Sequence, residues 1–378
     1  MEHREMKNSR APSLLGYGGM RFPVDKQTGQ IDFERAAALI HRAMEAGVTY
    51  YDTAWPYHNG QSEGFLGQVL GEYPRDSYFL ATKLPCWQIE SLEQAKQVFA
   101  AQLEHLKTDH IDFYLLHTLS ARTWKKMVEL GVVDWCRQLR EEGRIKQFGF
   151  SFHDSYQAFE EILTSCDWDF CQIQLNYMDT EHQAGLKGYA LAEQLGVPVV
   201  VMEPVKGGLL AQLPDEVSAP LRHLRPERSD AGWALSWVAS LPNVKVVLSG
   251  MSDMEQLEDN LALFDRFVPL NREEEAAVGG VAAALRARVR SGCTGCKYCM
   301  PCPKGVDIPK VFRVWNTMGM YENKRLTGQA WKAMRPEQSP SSCVGCGLCM
   351  QKCPQHLSIP EDLARAGEEL NRFSGLER

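Results

Sequence analysis

Val197-Pro198-Val199-Val200-Val201-Met202-Glu203 is an apolar run that ends on a carboxylate. A strand with one face in water alternates apolar and polar residues. This one does not, so both of its faces are to be covered. Seven further strand candidates share its length and apolar character: residues 14–19, 48–52, 78–83, 111–117, 145–151, 170–175 and 244–249. Between them lie stretches of helical period, among them 33–46, 92–106, 125–142 and 156–163. Eight strands alternating with helices predict an α/β fold closed into a (β/α)8 barrel, a TIM barrel, rather than an open sheet. The barrel is placed over residues 1–270.

The chain has 378 residues, 44% of them hydrophobic, enough for one large core and an appendage. A formal charge of −7 argues against a nucleic-acid footprint. No stretch approaches the ~18 apolar residues of a membrane span, and residues 1–10 lack the apolar centre of a signal peptide. The expected location is the reducing cytoplasm. Cys86, Cys136, Cys166 and Cys171 lie in apolar or helical contexts and read as buried free thiols.

The other eight cysteines form two matched runs. Cys293, Cys296, Cys299 and Cys302 precede Pro303, and Cys343, Cys346, Cys349 and Cys353 precede Pro354. Three thiolates at C-x2-C-x2-C spacing wrap three corners of one 4Fe–4S cubane, and the cysteine before proline ordinarily serves the other cluster. The expected pairing is therefore crossed: Cys293, Cys296 and Cys299 with Cys353, and Cys343, Cys346 and Cys349 with Cys302. The first run is one residue short of the usual gap before its last cysteine. Two zinc sites fit less well, because zinc sites commonly use two separated pairs, and disulfides fit worse still. A charged, alanine-rich helical linker is placed at 271–291. Residues 292–378, with helices expected near 308–315 and 326–334, read as a small, mostly helical ferredoxin-like iron–sulfur domain.

In barrels of this type the chemistry gathers where strands end and loops begin. Those ends carry Asp52, Lys83, His117, Ser151, Glu203 and Ser249, with Tyr57 in the loop after the second strand. A free phenol has a pKa near ~10 and is a poor proton donor at neutral pH. A neighbouring ammonium stabilises phenolate and lowers that value. A tyrosine, lysine, aspartate and histidine at one rim thus have the makings of a general acid. Singly, each has an ordinary structural reading as a turn cap, salt-bridge partner, core histidine or packing residue; together they favour catalysis. His58 and His153 read as surface or supporting histidines, and the pair Trp233 and Trp237 as core.

The segment Tyr50-Tyr51-Asp52-Thr53-Ala54-Trp55-Pro56-Tyr57, continuing to Ser62-Glu63, resembles the D-T-A-x-x-Y-x-x-G-x-S-E signature of the aldo-keto reductases. Thr82-Lys83 and Leu115-Leu116-His117 resemble that family's lysine and histidine blocks. Gly149-Phe150-Ser151 and Gln172-Ile173-Gln174 resemble its cofactor blocks, and Gly18-Gly19-Met20 its first cofactor-facing turn. The resemblance covers about residues 13–265. It implies Tyr57 as proton donor, Lys83 as its partner, Asp52 as the lysine's counter-ion and His117 as the group orienting the carbonyl. It also implies NADPH or NADH as cofactor, near Met20, Ser151, Gln172, Met202, Gly250 and Asn260, and a small-molecule carbonyl substrate. Gly207, among the glycines after the seventh strand, stands where a loop of many barrels approaches a pyrophosphate.

The departures from that pattern lie in the cofactor blocks. Phe152 stands where the family commonly has asparagine, Met202 where an aromatic ring stacks on the nicotinamide, and Gly250 and Gln256 where basic residues hold a 2′-phosphate. Two readings follow. In the first, the chain is an oxidoreductase transferring hydride between a nicotinamide cofactor and an aldehyde or ketone, with two 4Fe–4S clusters alongside. In the second, it is an electron-transfer subunit whose barrel binds nucleotide with little carbonyl turnover. Either admits an external redox partner, and neither involves nucleic acid or a membrane.

Overall fold

A computed structural model describes residues 1–7 and 9–376. Eight parallel strands close into one barrel in chain order. They are β1 (Leu15–Gly18), β2 (Tyr50–Asp52), β3 (Phe79–Leu84), β4 (Ile111–Leu119), β5 (Ile145–Phe152), β6 (Phe170–Gln174), β7 (Val199–Met202) and β8 (Val244–Ser249). The chain is thus a TIM barrel followed by a helical C-terminal region.

Two apolar clusters sandwich the sheet. The larger lies between the strands and the surrounding helices and includes Leu80, Tyr114, Leu116, Phe148 and Ile173. The smaller fills the barrel interior with Tyr50, Phe79, Ala81, Phe113, Leu115, Phe170, Val200, Val246 and Leu248, with Met6 of the N-terminal segment beside them. Both faces of each strand are therefore buried, which is why the strands read as continuous apolar runs. Gly149 stands where this packing leaves no room: a Cβ there would lie 2.6 Å from the Phe170 ring and from its carbonyl oxygen.

The predicted helix over 125–142 is two helices, Ala121–Glu129 and Val132–Glu141. Gly131, at φ +70°, makes the break, a conformation that costs an L side chain but not glycine. No helix among the described residues is long and apolar enough to cross a membrane. Of the four scattered cysteines, Cys86, Cys136 and Cys171 are buried and Cys166 is half-buried.

By contacts the chain divides into two compact units, Met1–Lys206 with Gly232–Asn271, and Gly207–Ala231 with Arg272 onward. The second unit differs from a simple division at residue 270. Its helix Arg272–Ala287, inside the expected linker, packs on Asp215–Leu224 of the segment after β7. There Arg225 donates to Glu274 at 2.9 Å, and Arg288 pairs with Glu216 at 2.5 Å. Its core is Ile308–Tyr321, Lys324–Lys332 and Ile359–Ser374, joined through Phe312, Trp315, Trp331, Leu363 and Leu370.

Candidate active site and cysteine centre

The period of two along a strand lifts a polar layer onto the apolar plug. Phe79 and Ala81 point into the barrel, so Lys83 does too, one step higher. By the same count Phe113 and Leu115 lead to His117, Tyr50 to Asp52, Phe170 to Gln172 and Val200 to Met202. Gly149 leads to Ser151, which is in register with Gln172. Of the strand-end residues singled out in the sequence, Asp52, Lys83, His117 and Ser151 thus converge on one mouth, whereas Glu203 directly follows inward Met202 and Ser249 directly follows inward Leu248, out of that count.

Lys83 is fully buried. Its Nζ donates to Asp52 Oδ1 at 2.6 Å, to the Thr53 carbonyl at 2.6 Å and to Tyr57 Oη at 3.3 Å. An ammonium has three donors, and these contacts use all of them. Tyr57 therefore receives a hydrogen bond from Lys83 and keeps its own proton for another acceptor. The turn that delivers Tyr57 is tight: its N–H donates to the Ala54 carbonyl at 3.1 Å, and His58, Asn59 and Gly60 all follow with positive φ. Two non-glycine residues there cost about 1 kcal/mol or more each. His58 Nε2 accepts the Phe22 N–H at 3.2 Å, tying this turn to the loop after β1.

Burial pushes the Tyr57 hydroxyl above the ordinary phenol value, against the opposing pull of Lys83. This corrects the expectation from charge alone, because the loss of water around a phenolate outweighs the neighbouring ammonium. For Lys83, burial acts to lower the pKa, but Asp52 and then Tyr57 outweigh it and hold it raised, so the side chain is charged. Burial raises Asp52 against the pull of Lys83. Burial, then Lys83 and His153, push His117 well below 6.5, so its imidazole is neutral at pH 7. The His117 ring lies edge-on to Tyr57, centroids 5.9 Å apart, and its buried Nδ1 has no partner. The indole of Trp87, in the loop after β3, stands 5.0 Å from the same imidazole.

Ser62 and Glu63 of the signature are braces. Ser62 Oγ accepts from Thr53 Oγ1 and donates to the Gly19 carbonyl. Buried Glu63 accepts from Thr82 Oγ1 at 2.5 Å and Gln102 Nε2 at 2.7 Å. Gln102 also donates to the carbonyl of Lys83 at 3.1 Å, so the strand that carries the lysine is fixed from outside the barrel.

Among the expected nucleotide contacts, Ser151 Oγ accepts the Thr118 N–H at 2.8 Å, and Gln172 Oε1 is buried with no partner. An amide donor at that spot would satisfy Gln172, so the pair fits a nicotinamide carboxamide. Phe152 does not contribute: it packs outside the barrel against Phe150 and Phe159. Met20 is exposed on the loop after β1 and Met202 is half-buried. Asn260 donates to Ser249 Oγ at 2.8 Å, and Gly207 sits at φ +63°. A Cβ on Gly250 would lie 2.9 Å from Cβ and Cγ of Arg21. The sequence reading missed both Arg21 and Trp87. Arg21 carried one signal, its place directly after the first cofactor-facing turn; Trp87 carried only its closeness to Lys83 in the chain.

In the second unit the cysteines line two cavities. One, of about 230 Å³, is walled by Cys299, Cys302, Cys343, Cys346 and Cys349. The smaller one is walled by Cys293, Cys296, Cys299 and Cys353. The larger cavity sets three cysteines of the second run beside Cys302 and Cys299 of the first, and the smaller sets three cysteines of the first run beside Cys353. No group of three or more ligating side chains among the described residues converges on a single ion. A cubane offers a different iron to each sulfur, so thiolates spread around a cavity suit it.

Residues 14–282 match the aldo/keto reductase family, and residues 292–357 match the 4Fe-4S dicluster domain. The chain is 25% identical over 279 residues to the uncharacterized oxidoreductase YqkF of Bacillus subtilis, covering 66% of this chain and 86% of that one. It is 24% identical over 290 residues to L-galactose dehydrogenase of Arabidopsis thaliana, covering 70% and 88%. The aldo-keto reductase AKR11C1 of Bacillus halodurans, in its holo form, superposes with a TM-score of 0.63 at 25% identity, covering 74% of this chain and 96% of that one.

Proposed function

This chain belongs to the aldo/keto reductase family, and from that premise we propose that it reduces an aldehyde or ketone with a nicotinamide dinucleotide and carries two 4Fe–4S clusters. The observation that carries the reading is the saturation of Lys83, which leaves the Tyr57 proton free to leave.

Tyr57 is the proton donor. Its raised pKa keeps the proton in place through neutral pH, and Lys83 lowers the cost of the phenolate that remains once the proton has gone. Asp52 keeps Lys83 charged. Neutral His117 orients the carbonyl oxygen beside Tyr57, and Trp87 walls the substrate side. The dinucleotide, when bound, supplies hydride. Ser151 and Gln172 would hold its carboxamide, Met20, Met202 and Gly207 would line its course, Gly250 and Asn260 would lie by the adenine end, and Arg21 offers that end a guanidinium. In the second unit, the eight cysteines would hold the clusters crosswise, where each supplies one-electron chemistry.

The test is a titration of anaerobically purified protein with NADH and with NADPH, with nicotinamide and cluster absorbance followed together. Nicotinamide consumed only in the presence of a carbonyl supports the reading. The burial of Phe152 away from the mouth favours a second reading, in which the barrel turns over little and serves electron transfer. Cluster bleaching by reduced nicotinamide without any carbonyl is the result that selects it.

A further inference from the structure

The charged side chains lining the two cysteine cavities are all of one sign. Lys304 and Lys352 stand in the wall of the larger cavity and Lys297 in that of the smaller, and no acidic residue lines either. All three lysines are exposed, and none makes an ion pair among the described residues. The chain as a whole has 41 Lys and Arg against 48 Asp and Glu, yet residues 292–378 have 12 against 8. Apolar side chains are exposed in the same loops: Tyr298 at 66%, Val344 at 62%, and also Leu348 and Met350. Cys296 and Cys346 themselves reach the surface. Scattered exposed apolar residues are ordinary. Four within two cysteine loops, with unpaired lysines beside them, have the composition of a contact patch with a charged rim.

We propose that the face around Cys346, formed by Val344, Leu348, Lys304 and Lys352, is the docking surface for a small acidic one-electron carrier protein. The proposal rests on the cysteines holding clusters, and it gives the external redox partner a place and a charge. A cluster held by these cysteines would take up one electron from the reduced carrier, which is oxidised by one; no atom or proton moves. Charge complementarity sets the encounter rate and the specificity of such a contact, and screening by salt weakens it. The lysines have a competing role, to offset the negative charge of a thiolate-bound cluster. That role moves the cluster's potential and leaves carrier binding alone, so the two separate experimentally.

The experiment uses the full chain, purified anaerobically, with a strongly acidic plant-type ferredoxin as the probe. Binding is measured by calorimetry at low and at raised ionic strength, and the cluster potentials by dye-mediated titration. The expected result is binding that weakens with salt and falls roughly tenfold or more in the Lys304→Glu/Lys352→Glu variant. The milder Lys304→Gln/Lys352→Gln variant lies between, and Val344→Ser/Leu348→Ser binds less tightly with the salt dependence kept. Binding that ignores both salt and these charges overturns the proposal, as does a shifted potential with unchanged binding. Self-association of the chain, lost in the same variants, overturns it in favour of a second copy as occupant. Iron and sulfide analysis separates the levels: absent iron overturns the cluster reading as well, whereas full iron with charge-independent binding overturns docking alone.

Discussion

Replacing Tyr57 by phenylalanine removes one oxygen from the mouth and little else. The lost hydrogen bond is the longest of the three that Lys83 makes, 3.3 Å against 2.6 Å to each of Asp52 and Thr53. Lys83 therefore keeps its charge partner and its carbonyl, and the fold should lose no more than about 1 kcal/mol. The phenyl ring still faces His117 and the lysine. What goes is the proton donor, and a positioned general acid contributes typically 10²–10⁴ in rate, about 3–5 kcal/mol of barrier. Tyr57→Phe should thus melt within a few degrees of the parent, bind NADH or NADPH with unchanged affinity, and reduce a reactive aldehyde at least about a hundredfold more slowly in kcat. The assay is nicotinamide consumption under saturating cofactor, with fluorescence titration for binding. Carbonyl reduction at the parental rate would refute the assignment. So would a loss of rate that merely tracks unfolding.

Lys83→Met should be costlier to the fold, about 3–5 kcal/mol, because Asp52 is left buried without its cation. Burial raises the Asp52 pKa, so the folded variant holds a proton that the unfolded chain releases in the ordinary carboxylate range. The deficit should therefore shrink as pH falls through the raised folded value, as denaturant melts across pH would reveal. In the parent, Tyr57 is raised above 10 and His117 lowered well below 6.5. The kcat/KM for reduction should then show no ionisation between about pH 7 and 9, while alcohol oxidation rises with pH across that window; a step in reduction near pH 7 that vanishes in Tyr57→Phe would contradict this. For the clusters, Cys302→Ala/Cys346→Ala damages one cavity and should halve the bound iron, whereas Cys296→Ala/Cys302→Ala damages both and should remove most of it. The opposite ranking would mean uncrossed pairing.

The barrel was legible because its signals are local and repeated. Two-sided burial leaves an uninterrupted apolar run, and β8 spans residues 244–249 as read. The convergence of Asp52, Lys83 and His117 was legible too, since a period of two and a common strand direction fix which side chains reach the mouth. Three features were not. Gly131 splits a helix whose amphipathic pattern continues on both sides of it. The net direction of the Tyr57 shift depends on how much water the folded chain removes, which no spacing encodes. Arg21 reaches Gly250 across 229 positions, and Gln102 grips Glu63 and Lys83 from a helix that resembles any other amphipathic one.

The threefold engagement of the Lys83 ammonium bears on how the protein can be interrogated. An amine whose every proton is committed, and which no solvent reaches, has no lone pair to offer an acylating or imine-forming reagent. Lys83 should stay unlabelled in the native protein while surface lysines react, and should become reactive only when the loop that carries Tyr57 comes away. Its labelling rate, read peptide by peptide, is therefore a gauge of how often the mouth of the barrel opens.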